Sequence, residues 1–424
     1  MKANRKFGMW KAIAFLTVAI SIFSCTSYEP EPLVKAQIIV NATENITESS
    51  ATIVATITAN QDNTDVLLRY QANGSTWKIK PFQIKLSGTS SQRITFDVSD
   101  LQPSTSYNFE VMASNAAGAE TVKGTSFTTL GLVKAIIKIK AAENVKIGTA
   151  SLSASVVPNQ NNTTIHFEYQ TVNSAWKTKT LGSSFSGTDS VKVNLDISDL
   201  QANTLYNFRV RVSNKAGEVV SDIVSFTTYA VADYDGNFYH TITIGTQTWL
   251  KENFKGTHYA NGDVIAYIAD QTDWANQKTG AYCYYNNNSE NGKVYGGLYN
   301  WYVVTDSRGL IVGYHVPSYD EWETLRSYLG GMNVAGLKLK EIGLTHWYRT
   351  NSSVTNSSGF TALPGGARTL YFFTTITEAA MFWTSTVHAV SGQASEFDLE
   401  GGSSYFGSGG NDYVYGQSIR LVKN

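Results

Sequence analysis

The sequence predicts a mostly β, multidomain protein in which two tandem β-sandwiches are followed by an α+β domain. Over residues 34–230, apolar and polar residues alternate with a period of two, which is typical of half-buried strands. This region also contains one segment twice. Beyond it the composition changes, because six of the nine tryptophans lie there and helical patterns appear.

The composition excludes several classes of protein. Only 16% of the 424 residues are charged, and the formal net charge is -1. A coiled coil or a disordered acidic chain would carry more charge, and a nucleic-acid-binding surface would need a basic stripe. Two cysteines are too few for a disulfide-rich scaffold. We therefore expect a globular protein that does not bind nucleic acid.

Residues 1–24 have the pattern of a secretory signal, with a basic start and an apolar run too short to span a bilayer. The run ends in Ile22-Phe23-Ser24-Cys25, which resembles the lipobox of bacterial lipoproteins. This resemblance implies cleavage before Cys25 and lipid attachment to its sulfur; an ordinary signal peptide with a chance cysteine is the alternative. Residues 25–33 would then be a lipidated tether, whose acidic residues resemble the export signals of Bacteroidetes-like surface lipoproteins. We expect an outer-membrane lipoprotein at the cell surface, with the periplasmic face as the open alternative.

Residues 34–131 and 132–230 are two copies of one module. Matching residues lie 99 positions apart without a gap, as Trp77 and Trp176 or Tyr107 and Tyr206 illustrate. Alternating strands separated by turn-rich segments predict a sandwich of about seven strands in each copy. The run Leu101-x-Pro103-x-Thr105-x-Tyr107 resembles the tyrosine corner of fibronectin type III domains. We interpret the two copies as spacers that hold the last domain away from the membrane.

The last segment, residues 231–424, contains predictable turns and helices. Asp235-Gly236 predicts a hairpin turn. Asp233, Asp235 and Asn237 are also candidate calcium ligands, because oxygen ligands at alternate positions suit that ion, although we favour the turn. Ser318 and Glu321 form a capping box before the apolar face of a predicted helix. A second helix is predicted over Leu298–Val304.

Several short blocks follow one another in this segment: Ile244-Gly245-x-Gln247-x-Trp249, Glu252-Asn253, Leu298-Tyr299-Asn300-Trp301-Tyr302, His315-Val316-Pro317-Ser318, Ser358-Gly359-Phe360-x-Ala362-Leu363-Pro364-Gly365-Gly366-x-Arg368, Phe382-Trp383-x-Ser385-Thr386 and Ser418-x-Arg420. Together they resemble the Fibrobacter succinogenes major paralogous domain, found on secreted or lipid-anchored bacterial proteins. That family resembles C-type-lectin-like and sulfatase-modifying-factor folds, which implies an α+β domain. Cys283 lies where the family often has a cysteine, and the family often has a second one where this chain has Leu421. If those two cysteines pair in the family, this chain lacks the partner, so we expect Cys283 to be free and buried.

Candidate ligand-binding residues come from the aromatic residues and arginines of the predicted loops. They are Trp347, Tyr348, Arg349, Arg368 and Tyr371. Aromatic rings can stack on sugar faces, and neighbouring arginines can donate hydrogen bonds to hydroxyl groups. The alternative for any single ring is a place in the core.

No motif of a known catalytic site is recognised, so we expect neither an enzyme nor a bound cofactor or metal. The histidines are scattered and are expected to be hydrogen-bonded structural residues. The leading hypothesis is a lipid-anchored envelope protein whose lectin-like domain binds an extracellular glycan or protein. Two alternatives remain open: a structural envelope or appendage component without a ligand pocket, and a polysaccharide hydrolase using Asp398 and Glu400.

Overall fold

The computed structural model describes residues 31–424. The predicted signal, residues 1–24, and the predicted lipid-attachment residue, Cys25, lie outside the described residues. Within the described part of the chain, no helix is long and apolar enough to cross a membrane. The protein is mostly β, as the sequence predicted. It divides into two compact units, of which the first ends at Leu132 and the second begins at Val133.

The first unit is a β-sandwich. Its two sheets have the strand orders β1-β2-β5 and β4-β3-β6-β7, and β8 also pairs with β6. Buried residues of both sheets, among them Phe96 and Val111, form one core. The strands are β1 (Gln37–Val40), β2 (Ala51–Thr58), β3 (Asp65–Ala72), β4 (Lys78–Pro81), β5 (Gln92–Val98), β6 (Ser106–Asn115), β7 (Gly118–Lys123) and β8 (Phe127–Thr128).

The second unit begins with a sandwich of the same topology. Its sheets have the orders β13-β10-β9 and β12-β11-β14-β15, and β16 pairs with β14. The first six strands begin and end 99 positions after their counterparts, which confirms the duplication. The strands are β9 (Ile136–Ile139), β10 (Ala150–Val157), β11 (Thr164–Thr171), β12 (Lys177–Thr180), β13 (Val191–Ile197), β14 (Leu205–Asn214), β15 (Gly217–Val220) and β16 (Val224–Thr227).

Both copies contain the predicted tyrosine corner. The backbone N–H of Gln102 donates a hydrogen bond of 2.8 Å to the hydroxyl oxygen of Tyr107. In the second copy, the N–H of Gln201 donates to the hydroxyl of Tyr206 at 2.9 Å. The rest of each tyrosine is buried, so the bond ties the start of a core strand to the preceding loop.

The last part of the second unit combines small sheets with short helices. A four-stranded sheet has the order β19-β20-β30-β24, so the final strand of the chain lies between one strand near the start of this part and one near its middle. Two three-stranded sheets, β21-β22-β23 and β27-β28-β29, and two hairpins, β17-β18 and β25-β26, complete it. The strands are β17 (Val231–Ala232), β18 (Phe238–Tyr239), β19 (Thr241–Ile244), β20 (Gln247–Leu250), β21 (Ala266–Tyr267), β22 (Ala281–Cys283), β23 (Leu298–Tyr299), β24 (Tyr314–His315), β25 (Ala367–Arg368), β26 (Phe373–Thr374), β27 (Ala379–Val387), β28 (Gln393–Glu400), β29 (Phe406–Asp412) and β30 (Val422–Lys423).

The helices test two sequence predictions. Helix α4 begins after Ser318, and the capping box between Ser318 and Glu321 is present, as predicted. The prediction of a helix over Leu298–Val304 was wrong for its first residues, because Leu298 and Tyr299 pair with β22 and only Trp301–Val304 is helical. The helices are α1 (Gln271–Ala275), α2 (Ser289–Tyr295), α3 (Trp301–Val304), α4 (Tyr319–Tyr328) and α5 (Ala335–Leu339), with a 3-10 turn at Tyr285–Asn287.

All six tryptophans of this last part are buried. Trp249 and Trp322 lie 4.6 Å apart between ring centroids and pack in one core with Phe360, Phe382 and Phe397. The high tryptophan content that marks this part of the sequence therefore fills its core and does not line its surface.

Cys283 is free and fully buried, as expected from the sequence. Burial raises the pKa of its thiol to about 11, because a thiolate would lose its hydration there, although the nearby charge of Arg368 acts in the opposite direction. The thiol is therefore protonated at neutral pH and packs as a small apolar side chain.

Candidate functional site

Two of the five candidate ligand-binding residues are not available to a ligand, which corrects the sequence-based expectation. Trp347 is 2% exposed, and its ring N–H donates to the carbonyl of Ala362. Arg368 is 3% exposed, and its guanidinium donates to the backbone carbonyls of residues 268–270 at 2.7–3.0 Å. Trp347 is therefore a core residue, and Arg368 fastens the hairpin β25-β26 to a distant loop.

Tyr371 lies at the exposed tip of that hairpin. Its ring is 66% exposed, and the neighbouring ring of Phe372 is 61% exposed. The hydroxyl of Thr369 accepts the backbone N–H groups of both residues at 3.2 Å, which fixes the turn. Tyr371 is not among the residues that line the pocket beside Tyr348.

Tyr348 and Arg349 do line a pocket, which has a volume of about 180 Å³. The Tyr348 ring is 70% exposed, and the guanidinium of Arg349 lies 5.9 Å from the centre of that ring. The remaining lining residues come from two other segments of the chain. They are Thr375, Glu378, Ala379, Glu400 and Gly401.

Backbone hydrogen bonds hold the three segments of the pocket together. The N–H of Tyr348 donates to the carbonyl of Thr377 at 2.8 Å, and the N–H of Gly401 donates to the carbonyl of Glu378 at 2.7 Å. A side chain at position 401 would not be accommodated, because its Cβ would lie 2.9 Å from the carbonyl oxygen of Arg349. Backbone contacts therefore fix the three segments whose side chains line the pocket.

The buried side chain of Lys340 holds the segment that carries the pocket residues Glu400 and Gly401. Its ammonium donates to the carbonyl oxygens of Glu400, at 2.7 Å, and Ser403. The ammonium also lies 5.4 Å from the centre of the Trp347 ring. Burial lowers the pKa of Lys340 to about 8, and the charge of Glu400 opposes that shift. Trp347 is not available to a ligand, but it packs against Lys340, which holds the segment that carries Glu400.

The segment from Thr375 to Thr377 has an unusual backbone. Thr375 has a φ of 59° and Thr377 a φ of 65°, in the left-handed region that β-branched residues rarely adopt. Such strained residues persist only where the surroundings hold them, and they cluster at functional sites. The hydroxyl oxygen of Thr375 is buried and has no hydrogen-bond partner within residues 31–424.

The pocket is lined by charged side chains of both signs. Arg349, Glu378 and Glu400 are all exposed, and none of them forms a salt bridge or a side-chain hydrogen bond within the described residues. Two carboxylates and one guanidinium are therefore free to meet a ligand at one place. Together with the Tyr348 ring, they provide hydrogen-bond donors, acceptors and an apolar face.

Sequence reasoning missed Thr375, Glu378 and Glu396. The first two carry no motif, and only the fold brings them beside Tyr348. Glu396 lies on the same face of β28 as the suggested carboxylates Asp398 and Glu400, but it is 5% exposed. Burial, with the neighbouring charge of Asp398, raises the pKa of Glu396 to about 8. Of the suggested pair, only Glu400 lines the pocket.

The candidate calcium ligands are occupied by other contacts. Asp233 accepts hydrogen bonds from the side chain of Asn237 at 2.8 Å and the hydroxyl of Tyr239 at 2.7 Å. Asp235 accepts instead from Thr257 and from the ring of His258 at 2.5 Å. Within residues 31–424 no group of three or more histidine, cysteine or acidic residues is placed to hold a metal ion. Residues 233–237 form the predicted turn between β17 and β18.

The histidines of the last part are hydrogen-bonded, as expected. Four of them contact a carboxylate at 2.5–2.9 Å: His240 with Glu252, His258 with Asp235, His315 with Glu321, and His346 with Glu341.

Comparison with known proteins finds a domain model that matches part of the chain. No curated protein matches the sequence. Among solved structures, the sensor domain of the anti-sigma factor RsgI4 of Pseudobacteroides cellulosolvens is similar, with 26% identity over 23% of this chain and 91% of that one, and a TM-score of 0.19. Chicken CNTN1 FN1-FN3 domains are 16% identical over 45% of this chain and 65% of that one, with a TM-score of 0.20. The Fibrobacter succinogenes major domain matches residues 242–423, which confirms the resemblance that the sequence motifs indicated for this part of the protein.

Proposed function

We propose that this protein is a lipid-anchored envelope protein whose last domain binds an extracellular glycan in the pocket beside Tyr348. The observation that carries the proposal is the pocket itself, lined by an exposed tyrosine ring and by an arginine and two glutamates that make no ion pair within residues 31–424. Sugars offer apolar C–H faces and hydroxyl groups, and this combination of groups can contact both. The two sandwiches would serve as spacers between the membrane and the domain.

The pocket supports a small binding unit. Its volume of about 180 Å³ is below the roughly 300–1,000 Å³ typical of sites for drug-sized ligands. One sugar residue of a longer chain would therefore occupy it, while the rest of the glycan remained in solvent. The weak contact of a single residue would be multiplied where many copies of the protein meet a repetitive polysaccharide.

A glycan array with the intact protein lacking its lipid tests the proposal, with Tyr348→Ala as the key variant. Removing the exposed ring should lower binding to the recognised glycans about tenfold, since stacking contacts of this type contribute about 0.5–1.5 kcal/mol beyond the area they bury. Tyr328→Ala is the matched control, because that ring is similarly exposed, at 65%, but does not line the pocket. If no glycan binds, the proposal fails in favour of a structural envelope component. If both variants lose binding equally, the pocket beside Tyr348 is not the binding site and the proposal fails as stated.

A second candidate function is hydrolysis of a polysaccharide, which is favoured by two carboxylates, Glu378 and Glu400, lining the same pocket. Incubation with the bound glycan would separate the two. Release of reducing ends that is abolished by Glu400→Gln would indicate a hydrolase, whereas binding without release supports a binding protein.

Lipid attachment at Cys25 is a separate part of the proposal and has its own test. Labelling cells with a fatty-acid analogue should mark the protein, and Cys25→Ala should abolish the label. Several acyl chains would be needed for stable anchoring, because a single chain binds a membrane only marginally. Equal labelling of the variant would contradict the lipoprotein assignment.

A further inference from the structure

We infer that the pocket selects glycans whose sugars carry protonated amino groups. The inference rests on the proposed function and names the ligand class of that same site. It follows from the two carboxylates of the pocket that make no ion pair within residues 31–424 and from the exposed ring of Tyr348, which lines the same pocket.

The unpaired charges at the pocket favour a cationic ligand. Glu378 and Glu400 are exposed and make no ion pair within residues 31–424, and Arg349 is the one unpaired cation among the lining residues. The buried ammonium of Lys340 offsets part of the charge of Glu400, but it is bound to two backbone carbonyls and cannot contact a ligand. A ligand ammonium placed between the two carboxylates would form charge-assisted hydrogen bonds.

The exposed ring of Tyr348 is suited to the same ligand. The exposed face of Tyr348 attracts a cation through the charge distribution of its ring, as well as contacting the C–H face of a sugar. The hydroxyl oxygen of Thr375 is buried in the wall, so the preference depends on the two carboxylates and the ring.

The test compares three oligosaccharides of equal length by isothermal titration calorimetry with the intact protein lacking its lipid. They are an oligomer of glucosamine, the same oligomer with every amine acetylated, and the corresponding oligomer of glucose, all measured at a pH where free amines are protonated. The glucosamine oligomer should bind about tenfold more tightly than the other two, because only it can pair with the carboxylates. Raising the salt concentration should weaken this preference, since exposed charge pairs are screened.

Variants locate the preference in the pocket. Glu378→Gln and Glu400→Gln keep the size of each side chain but remove its charge, and each should reduce the preference for the amine severalfold. Glu290→Gln is the matched control, because it removes an exposed carboxylate of α2 that does not line the pocket. Circular dichroism of each variant confirms that the fold is retained.

The possible results separate the two proposals. Equal binding of all three oligomers, weakened by Tyr348→Ala, would overturn the inference but leave the proposed glycan site intact. A preference for the amine that survives both glutamine substitutions would also overturn it, since the selecting charges would then lie elsewhere. Absence of binding to any of the three and to the wider glycan array would overturn the proposed function itself.

Discussion

The two sandwiches hold the same ion pair in opposite orientations. In the first, Arg69 on β3 lies directly across from Glu110 on β6; in the second, Glu168 on β11 lies across from Arg209 on β14. The paired positions are 99 residues apart, so arginine and glutamate have exchanged places between the copies. The comparison shows that a cross-strand pair requires opposite charges at neighbouring positions but does not require a particular strand for either charge.

A tryptophan contacts the arginine in both copies. The guanidinium of Arg69 lies 5.0 Å from the centre of the Trp77 ring, and that of Arg209 lies 4.3 Å from the centre of the Trp176 ring. The tryptophan keeps its place in the repeat although the arginine changes strand. The ring can therefore contact a guanidinium from either strand, because the two cross-strand positions lie side by side.

The copies differ in the number of arginines that pair with the buried glutamate. Glu168 accepts hydrogen bonds from Arg209 at 2.7 Å and from Arg211 at 2.8 Å. Burial raises its pKa, but the bonds from the two arginines outweigh that effect, so the pKa of Glu168 lies below its usual value. In the first copy, Met112 occupies the position of Arg211, and the second cation near Glu110 is the exposed Lys123 at 3.9 Å.

The largest expected effect comes from removing the arginine of the pair. Arg69→Met should lower the free energy of unfolding of the first sandwich by about 2–3 kcal/mol, because it leaves the buried Glu110 charged and nearly unpaired. Arg209→Met should cost the second sandwich only about 1 kcal/mol, because Arg211 still pairs with Glu168. Hydrogen exchange of the intact protein, followed by mass spectrometry of peptides from β6 and β14, measures each sandwich separately.

The unmutated sandwich is the internal control in each experiment. Peptides of β14 should exchange normally in Arg69→Met, and peptides of β6 should do so in Arg209→Met. Equal losses of stability in the two variants would contradict the view that Arg211 still pairs with Glu168 when Arg209 is removed.

A smaller loss of stability, equal in the two sandwiches, is expected when the tyrosine corners are changed. Tyr107→Phe and Tyr206→Phe each remove a hydroxyl that accepts one backbone N–H, at 2.8 and 2.9 Å. Each should cost its own sandwich about 1 kcal/mol, the usual contribution of one hydrogen bond. The same exchange measurement checks this, and a difference of more than about 1 kcal/mol between the copies would show that the two corners are not equivalent.

The smallest effect is expected when the first copy is given the charge order of the second. The double variant Arg69→Glu with Glu110→Arg should change the free energy of unfolding by less than about 1 kcal/mol, since the opposite charges still face each other and the new arginine can contact Trp77. Each single substitution places like charges together and should be far more destabilising. A double variant as unstable as the singles would mean that each copy depends on its own orientation.

Much of the sandwich structure could be predicted because it depends on local patterns. Alternating apolar residues determine which face of a strand is buried, and Tyr107 bonds to a backbone group only five positions away. The capping box at Ser318 and Glu321 was predictable for the same reason, since its partners are three residues apart. The helix near Trp301 was misjudged, because a continuous apolar run does not distinguish a buried strand from a helix. The short helices α1, α2 and α5 were not predicted.

The candidate site was predicted only in part. Tyr348 and Arg349 line the pocket, whereas Trp347, immediately before them, is in the core. An aromatic residue next to polar ones has the composition of a binding loop whether its ring is buried or exposed. Its exposure is decided by which distant segments pack against it, and no local pattern reports those segments.

By itself, the sequence determined the duplication, the mostly β character and the similarity of residues 242–423 to a known domain, because strand periodicity and motifs are properties of neighbouring residues. The tertiary structure decided that Arg368 binds carbonyl groups about 100 positions away and that Thr375, Glu378 and Glu400 meet beside Tyr348. Burial and charge pairing depend on contacts between segments that are far apart in the chain, and these contacts exist only once the whole domain has folded.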